Sequence, residues 1–287
     1  MSRVVCAGHL NWDVTLRVDA LPDPDGEVRV TERRCGGGGS AANVATGLTD
    51  LDVDASLLGS VGDDEHGRTA RRELVDDGVD ADDVVTVSGT ETTTKYIVVE
   101  PSGEVMVLGC PGANEAFEAD DLPASTLAAA DHLHMTSQRP ETATRLAERA
   151  RECDVPVSFD PGRRIGERAY GTALESVDYL FLNDREAGLA LDAFDLREQT
   201  LVLKHGPDGA EVRAGEARTA HPGYPIDVVD TTGAGDAFAA GFIAARVEGA
   251  DDHRALEVAN ACGALASKAP GARTSLTWER IHAFLGE

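Results

Sequence analysis

The sequence has little lysine, few aromatic residues and no long hydrophobic run. Its 287 residues contain only three lysines, and 26 Lys and Arg face 51 Asp and Glu, which gives a formal net charge of −25. A surface of this charge repels nucleic acids and anionic membranes, so we expect neither as a partner. No stretch approaches the ~20 apolar residues of a membrane span, and the amino terminus lacks the apolar core of a signal peptide. These absences predict a cytoplasmic protein.

The five cysteines are odd in number and widely spaced, and none forms a Cys-x-x-Cys pair. This pattern argues against a disulfide framework and against a structural zinc site. We therefore interpret the cysteines as small buried hydrophobic residues in a reducing compartment.

Acidic residues are spread along the whole chain, in pairs such as Asp63-Asp64 and Asp120-Asp121, and do not form a tail. Such a coat provides general solubility, and it is also typical of proteins that work in molar salt. At ~1 M salt the Debye length is about 3 Å, so the self-repulsion that would loosen this fold in dilute buffer is screened. The composition favours a halophilic archaeal source.

Short apolar segments alternate with helical ones in the second half of the chain. Predicted strands lie at His132–Met135, Val155–Phe159, Tyr179–Leu182 and Leu201–His205, with predicted helices between them. This alternation predicts an α/β protein whose mostly parallel central sheet is covered by helices on both faces, a three-layer α/β/α core.

A second, smaller β element is predicted near the amino terminus. Val28–Arg34 is a predicted strand, and Thr92–Glu100 and Glu104–Gly109 flank Pro101-Ser102-Gly103, which is typical of a hairpin. Because no repeat or low-complexity linker interrupts the chain, we expect one domain over residues 1–287. Its lid strands would come from about residues 12–34 and 90–110.

Residues 230–238, with the sequence DTTGAGDAF, are the strongest indication of chemistry. They follow a predicted strand at Ile226–Val229 and open a predicted helix. Glycines at such a turn expose backbone N–H groups at the positive end of the helix, which makes an anion site. Asp236 would repel a phosphate, so it suits a general base that takes the proton of an attacking hydroxyl. A shorter Gly-x-Gly-Asp motif would favour a simple helix cap.

Four glycines, Gly36–Gly39, precede a predicted helix from about Ala41 with Ser40 as its N-cap. They allow the backbone to approach a ligand closely, and Asn43 offers a donor and an acceptor to a polyol. A flexible turn explains this stretch equally well when it is taken alone.

Asn183 and Glu186 follow the predicted strand Tyr179–Leu182, at the sheet edge where open α/β sheets bind ligands. Their oxygen atoms suit a hydrated Mg²⁺. In isolation, an N-cap with acidic residues in the first turn explains them as well.

Together these motifs resemble the PfkB, or ribokinase-like, family of carbohydrate and nucleoside kinases. The likeness runs from Gly8 to Leu285 and is carried by DTTGAGDAF and by Gly-Gly-x-x-x-Asn-x-Ala at Gly38–Ala45. It implies a ribokinase-like fold with a β-strand lid. It also implies transfer of the γ-phosphoryl group of MgATP to a hydroxyl of a small sugar. Lids in this family can pair, so a homodimer through the lid is expected.

The resemblance also implies residue roles. The base Asp236 would act with the backbone N–H groups of Gly233, Ala234 and Gly235. The acceptor would be bound by Asn11, Asp13, Gly38, Gly39, Asn43, Gln138 and Arg163. ATP would be bound by Asn183, Lys204, Gly206, Gly209, Gly235 and Asn260. Mg²⁺ would be held near Asn183 and Glu186 through water. A monovalent cation such as K⁺ would be held by Asp230, Thr232, Ala266, Ala269, Gly271 and Ser275.

The sequence departs from the family pattern where the sugar would be recognised. Gln138 is the candidate nearest to the Glu that ribokinases place on the substrate, and Lys204 stands where they usually have Thr. Asp160-Pro161-Gly162-Arg163 is similar to the Asp-Pro-Asn-x-Arg of keto-deoxy-gluconate kinases, with Gly162 in place of Asn. Arg163 suits a carboxylate or phosphate on the substrate, and a surface ion pair is the alternative.

Three other classes of protein compete with a sugar kinase. A nucleoside kinase of the same family would share every residue named above. A non-catalytic sugar- or nucleotide-binding regulator would have no need of Asp236 and its glycines. A Rossmann dehydrogenase is disfavoured because Gly8-His9-Leu10-Asn11 stands where a Gly-x-Gly-x-x-Gly motif is required.

Overall fold

The computed structural model describes residues 1–22, 25–100 and 105–287. Within these ranges the strands are β1 (Arg3–Ala7), β2 (Asn11–Val18), β3 (Val30–Gly38), β4 (Asp54–Gly62), β5 (Val84–Val87), β6 (Thr94–Val99), β7 (Val105–Cys110), β8 (His132–Thr136), β9 (Val157–Asp160), β10 (Tyr179–Asn183), β11 (Thr200–Lys204), β12 (Ala210–Ala214) and β13 (Ala217–His221). The α-helices are α1 (Ser40–Asp50), α2 (Glu65–Asp76), α3 (Ala124–Ala128), α4 (Pro140–Glu152), α5 (Gly171–Leu174), α6 (Asp184–Ala193), α7 (Ala234–Val247), α8 (Asp252–Ser267) and α9 (Trp278–Leu285).

The described residues form a central sheet of nine strands in the order β13-β12-β11-β10-β9-β8-β1-β4-β5. Every neighbouring pair from β11 to β5 is parallel, and β12 and β13 add an antiparallel edge. The carboxyl ends of the parallel strands therefore meet along one edge, which is where ligands bind in open α/β sheets. The predicted mostly parallel sheet is confirmed.

Helices cover both faces of the central sheet because its strands are apolar on both sides. In β1, Val4 and Cys6 join a core that includes α1, α7 and α8. The alternate residues Val5 and Ala7 join a second core with α4 and α5. Continuous apolar strands of this kind are typical of parallel sheets buried on two faces.

The smaller sheet has four strands in the order β3-β2-β6-β7 and forms the predicted lid. In this sheet β2 is antiparallel to β3 and parallel to β6, which is antiparallel to β7. The predicted hairpin turn Pro101-Ser102-Gly103 lies outside the described residues. The lid segment expected at about residues 12–34 contains two strands, β2 and β3. Asn11–Val18 alternates strictly between polar and apolar residues, which is typical of a half-buried strand, although the prediction gave no separate bounds for β2.

The predicted strand before the DTTGAGDAF motif is wrong. Ile226–Val229 pairs with no strand in the described part of the chain. Val228 and Val229 are 59% and 53% exposed, so they do not enter the sheet. The backbone N–H of Val229 instead donates to the carbonyl of Ser267 at 2.8 Å. The segment is therefore anchored to the end of α8, and the motif is positioned from there.

Two smaller expectations also differ from the structure. Gly39, not Ser40, is the N-cap of α1, because the chain reaches the helix through a residue with φ of 104°. Of the five cysteines, Cys6 and Cys262 are buried as expected, but Cys35, Cys110 and Cys153 are exposed. Cys35 and Cys110 lie on the lid sheet, where the strands have less cover than those of the central sheet.

None of the helices in the described part of the chain combines the length and apolar character required to cross a membrane.

Candidate active site

Asp236 lies in the first turn of α7 and is fixed by a residue of α1. Asn43 Nδ2 donates to Asp236 Oδ2 at 2.8 Å, although the two residues are 193 positions apart. The opposite atom of the same amide, Asn43 Oδ1, accepts from Arg273 Nε at 3.2 Å. The structure thus joins the two predicted glycine motifs through one amide, which orients the carboxylate.

Two glycines let the backbone close around this carboxylate. At Gly39, with φ of 104°, a Cβ would lie 2.3 Å from the carbonyl oxygen of His9. At Gly233, with φ of 76°, a Cβ would lie 2.2 Å from the carbonyl oxygen of Ala272. Both positions therefore require glycine for conformation and for space.

Two backbone N–H groups at the start of α7, next to Asp236 in sequence, are unpaired among the described residues. The N–H of Ala234 donates to the carbonyl of Thr231 at 3.2 Å, while those of Gly233 and Gly235 have no partner among the described residues. Such unpaired groups at the positive end of a helix suit an anion.

Asp236 has an electrostatic environment suited to a base. Burial raises the pKa of Asp236 to about 6, and the nearby charge of Asp160 adds to that rise. Hydrogen bonds from Asn43 and Ser40 and the charge of Lys204 oppose it. A carboxylate with a pKa near 6 accepts a proton more readily than an ordinary aspartate and is still ionised at neutral pH.

Three strand ends beside Asp236 carry polar groups, of which Asn183 and Lys204 are predicted to bind the nucleotide. Lys204, at the end of β11, donates to Asp160 Oδ2, at the end of β9, at 2.6 Å. Asn183 ends β10 between them and forms a reciprocal cap with Glu186, with hydrogen bonds of 2.9 and 3.0 Å. Burial and the charge of Asp160 raise the pKa of Glu186.

The polar residues predicted for the acceptor cluster where β1 leads into the lid. Asn11 Nδ2 donates to Asp13 Oδ1 at 2.8 Å, and Asn114 Nδ2 donates to Asn11 Oδ1 at 3.0 Å. Gly38 lies directly beside Asp13, where a Cβ would be 2.0 Å from its carboxylate. Burial raises the pKa of Asp13 above its usual range, and the charges of Lys95 and Arg273 oppose that rise.

Sequence reasoning missed an ion-pair network that adjoins this cluster. His9 Nε2 and Glu115 Oε1 are 2.9 Å apart, and Arg168 Nη2 donates to both carboxylate oxygens of Glu115 at 2.9 and 3.1 Å. Hydrogen bonds from His9 and Arg168 hold the pKa of Glu115 at about 2, although burial opposes this. These residues are 53 or more positions apart, so no local spacing could have revealed the network.

Gln138 adjoins the same network. Its carbonyl accepts from Tyr170 Oη at 2.7 Å and from Arg168 Nη1. Its fully buried side-chain amide has no hydrogen-bond partner among the described residues. A buried amide without a partner is costly, which fits a group that meets a ligand.

The residues predicted for a monovalent cation come together around Asp230. Its carboxylate accepts from the N–H groups of Thr232 at 2.9 Å and Gly271 at 3.0 Å. Arg17 of the lid strand β2 lies 3.8 Å away. The loop also holds Thr274 Oγ1, a buried oxygen with no partner in the described chain. In contrast, the carbonyl of Ser275 already accepts from Arg280.

Other predicted residues are less closely connected to this site. Arg163 is exposed and has no ion pair with the described residues, whereas its neighbour Arg164 lies 3.9 Å from Glu115. Asn260 donates to the carbonyl of Leu256 within α8. Gly206 and Gly209 form the turn between β11 and β12 with φ of 58° and 88°.

Comparison with known proteins identifies the class. Residues 1–279 match the pfkB family carbohydrate kinases, and the chain belongs to this family. It is a sugar kinase, an ATP-dependent phosphotransferase with the predicted ribokinase-like fold.

Individual relatives cover the whole chain. It is 52% identical to an ATP-dependent ribose-1-phosphate kinase of Halopiger xanaduensis, over 100% of this chain and 99% of the relative. This halophilic relative fits the halophilic composition. The crystal structure of a Methanocaldococcus jannaschii nucleoside kinase superposes with a TM-score of 0.83 at 25% identity, over 100% of this chain and 98% of that one. An Arabidopsis thaliana ribokinase complexed with ribose and ATP has a TM-score of 0.84 at 24% identity, over 99% and 98%.

Proposed function

We propose that the protein phosphorylates a hydroxyl of ribose 1-phosphate with ATP, and that Asp236 is the general base. The observation that carries the proposal is the Asp236 carboxylate, held by Asn43 at 2.8 Å beside unpaired N–H groups and with a pKa of about 6. The 52% identical relative supports the choice of acceptor.

The proposed reaction is a direct in-line transfer. The acceptor hydroxyl oxygen bonds to the γ-phosphorus of ATP, the bond from that phosphorus to the β,γ-bridging oxygen breaks, and ADP leaves. The hydroxyl proton passes to Asp236. Asn11, Asp13, Gly38, Gly39 and Asn43 position the acceptor, and the N–H groups of Gly233 and Gly235 stabilise charge on the transferring group.

We assign ATP to the strand ends beside Asp236 and to the turns after β11. Lys204, which donates to Asp160 and whose charge acts on Asp236, would interact with the phosphate oxygens. Gly206, Gly209 and Asn260 would contact the rest of the nucleotide. The lid would exclude water, so that ATP is not hydrolysed.

Two cations fit the residues present. No group of three or more His, Cys, Asp or Glu in the described chain is arranged to hold a metal by itself. Mg²⁺ commonly keeps several waters and binds through one or two carboxylates and the phosphates. Asn183 and Glu186 would hold Mg²⁺ through water. Its positive charge would offset the repulsion between the carboxylates of Glu186 and Asp160. The loop around Asp230 would hold K⁺ through the Asp230 carboxylate and through carbonyl oxygens of Thr232, Ala269 and Gly271. The carbonyls of Ala266 and Ser275 already accept hydrogen bonds, from Ala269 and from Arg280.

We also propose that the chain works as one cytoplasmic kinase domain and pairs with a second copy through the lid. Active-site residues come from both sheets, which supports a single unit. The strand β7 ends the lid sheet, and its Val105, Met106, Val107 and Leu108 are 38–54% exposed. An apolar edge strand of this kind favours pairing with another strand. Sedimentation of the wild type and of Val107→Lys tests this, since the charge should leave a monomer.

The acceptor and the base are tested together by ADP release in molar KCl with MgATP, over ribose 1-phosphate, ribose, fructose, keto-deoxy acids and nucleosides. Phosphorus NMR of the product identifies the new ester. We expect ribose 1-phosphate to give the highest kcat/KM. We expect Asp236→Asn to lose at least ~10²–10⁴-fold in kcat, as is typical for loss of a general base.

The same panel separates the alternatives. Turnover with nucleosides alone would keep the role of Asp236 and replace the acceptor. Undiminished turnover by Asp236→Asn would remove Asp236 as the base.

A further inference from the structure

The lid places one lysine, Lys95, beside the acceptor residues, and no carboxylate of the described residues lies within ion-pair distance of it. Three positive charges act on Asp13 and His9: Lys95, Arg168 and Arg273. Arg168 is bound by Glu115 at 2.9 Å, and Arg273 lies 3.4 Å from Asp77. Lys95 is partly buried and forms no ion pair or hydrogen bond with the described residues. With acidic residues twice as numerous as basic ones, an unpaired ammonium at this place is unexpected.

The register of the lid sheet fixes where Lys95 points. Asp13 pairs with Lys95 on β6 and with Gly36 on β3, and Lys95 pairs with Gly109 on β7. Residues opposite one another in a sheet project from the same face, so Lys95 lies on the same face as Asp13.

The neighbours in this row leave space around the ammonium. Both outer positions are glycine. A Cβ at Gly36 would lie 3.7 Å from Glu73 Oε2, whereas no atom of the described residues lies within 4 Å of where a Cβ of Gly109 would be. A group larger than a hydroxyl can therefore approach Lys95 from the β7 side without displacing a side chain.

A series of interactions links the base to Lys95, with Asp13 between them in that series. Asp236 contacts Asn43, which contacts Arg273; the charge of Arg273 reaches Asp13, which pairs with Lys95. A sugar held by Asp13 with one hydroxyl at Asp236 would thus direct another substituent toward Lys95.

We propose that Lys95 and the open space beside Gly109 form a subsite for a phosphate ester already present on the sugar. This inference rests on the proposed phosphorylation of ribose 1-phosphate and names the residue that selects the phosphorylated acceptor. An ammonium is a compact donor for phosphate oxygens, and a charge-assisted hydrogen bond in a partly buried site is stronger than a neutral one.

Lys95→Ala, Lys95→Arg and Arg33→Ala test the subsite, with ribose 1-phosphate and ribose as acceptors. Arg33 is exposed and sits on the opposite face of the lid sheet, three positions along β3 from Gly36, so Arg33→Ala removes the same charge without touching the row. We expect Lys95→Ala to raise KM for ribose 1-phosphate about 10- to 100-fold and to leave kcat and the KM for ribose little changed. Lys95→Arg should retain most of the affinity, and Arg33→Ala should resemble the wild type.

The outcomes separate this inference from the proposed function. A wild type that does not prefer ribose 1-phosphate to ribose overturns the choice of acceptor, and the subsite with it. A wild type that prefers it, with Lys95→Ala unchanged, overturns the subsite alone. An equal rise in KM for both acceptors would show that Lys95 only balances the charge of Asp13. Melting temperatures of all three variants, measured in molar KCl, confirm that each is folded.

Discussion

The central sheet and the lid sheet differ in how their strands are covered. In β10 of the central sheet, Leu180, Phe181 and Leu182 are fully buried between two helical layers. In β7 of the lid, every residue from Val105 to Cys110 is exposed. The residues that would react and bind ATP lie at the strand ends of the covered sheet and at the start of α7, which packs on it, and those that would select the acceptor lie on the lid and at its junction with that sheet. Tight packing on the central sheet thus holds the reacting groups in place, whereas residues of the lightly covered lid can change with the acceptor at little cost in stability.

The largest expected effect contrasts one leucine from each sheet. Leu182→Ala removes a fully buried side chain and should cost about 2–5 kcal/mol of unfolding free energy, because it leaves a cavity. Leu108→Ala, at 54% exposed, should cost less than about 0.5 kcal/mol. Urea denaturation in molar KCl measures both. Both substitutions are compared in the Val107→Lys monomer, where lid pairing does not cover Leu108, and equal losses there would contradict the difference in cover between the two sheets.

A second prediction concerns Glu115, which joins the two regions through His9 and Arg168. Because its folded-state pKa of about 2 lies below its ordinary value of 4.5, its stabilisation is present above pH ~4.5 and is lost as the pH falls toward 2. Glu115→Gln should therefore destabilise the protein at neutral pH by on the order of 2–3 kcal/mol. The difference from wild type should shrink as the pH approaches 3.

Unfolding of both proteins at several pH values provides the measurement. A difference that does not depend on pH would mean that the charge of Glu115 contributes nothing and that only packing was changed.

Much of this architecture was predictable from the chain. The alternating apolar segments gave the parallel sheet, and DTTGAGDAF marked the turn that holds Asp236. The Glu115 network and the Asn43–Arg273 contact, which spans 230 positions, depend on how distant segments meet and have no local pattern. The prediction of a strand at Ile226–Val229 was wrong because it rested on apolar content alone, and a strand also needs a neighbouring strand to pair with. Lys95 was visible as one of three lysines, but its place beside Asp13 follows only from the sheet register.

The third prediction is a pH dependence of turnover. Asp236 must be deprotonated to accept a proton, so kcat should fall about tenfold per pH unit below about pH 6. Asn43, Ser40, Lys204 and Asp160 face this carboxylate and set its pKa. Asn43→Ala removes a hydrogen bond that lowers the pKa, so the fall should begin at a higher pH. A fall centred near pH 4 in the wild type would contradict this assignment.

The smallest expected effect is that of salt. A protein with net charge −25 binds anionic ATP against repulsion, and salt screens that repulsion, so activity should rise several-fold from dilute to molar KCl. Equal concentrations of NaCl and KCl screen charges equally. Activity that is higher in KCl than in NaCl would therefore indicate K⁺ binding at the site around Asp230. An activity optimum at low salt would contradict both the hypothesis of adaptation to molar salt and the hypothesis that salt screens the repulsion between the protein and ATP.

The most direct test of the division between the two regions compares Asp236→Asn with Asp13→Asn. Calorimetry gives the Kd for the acceptor, and single-turnover kinetics at saturating acceptor gives the rate of phosphoryl transfer. We expect Asp236→Asn to keep the Kd within a few-fold and to lose at least ~10²-fold in rate. Asp13→Asn should raise the Kd and keep most of the rate at saturation. If Asp236→Asn still transferred phosphate at the wild-type rate, or if Asp13→Asn bound the acceptor as tightly as the wild type, the account would be contradicted.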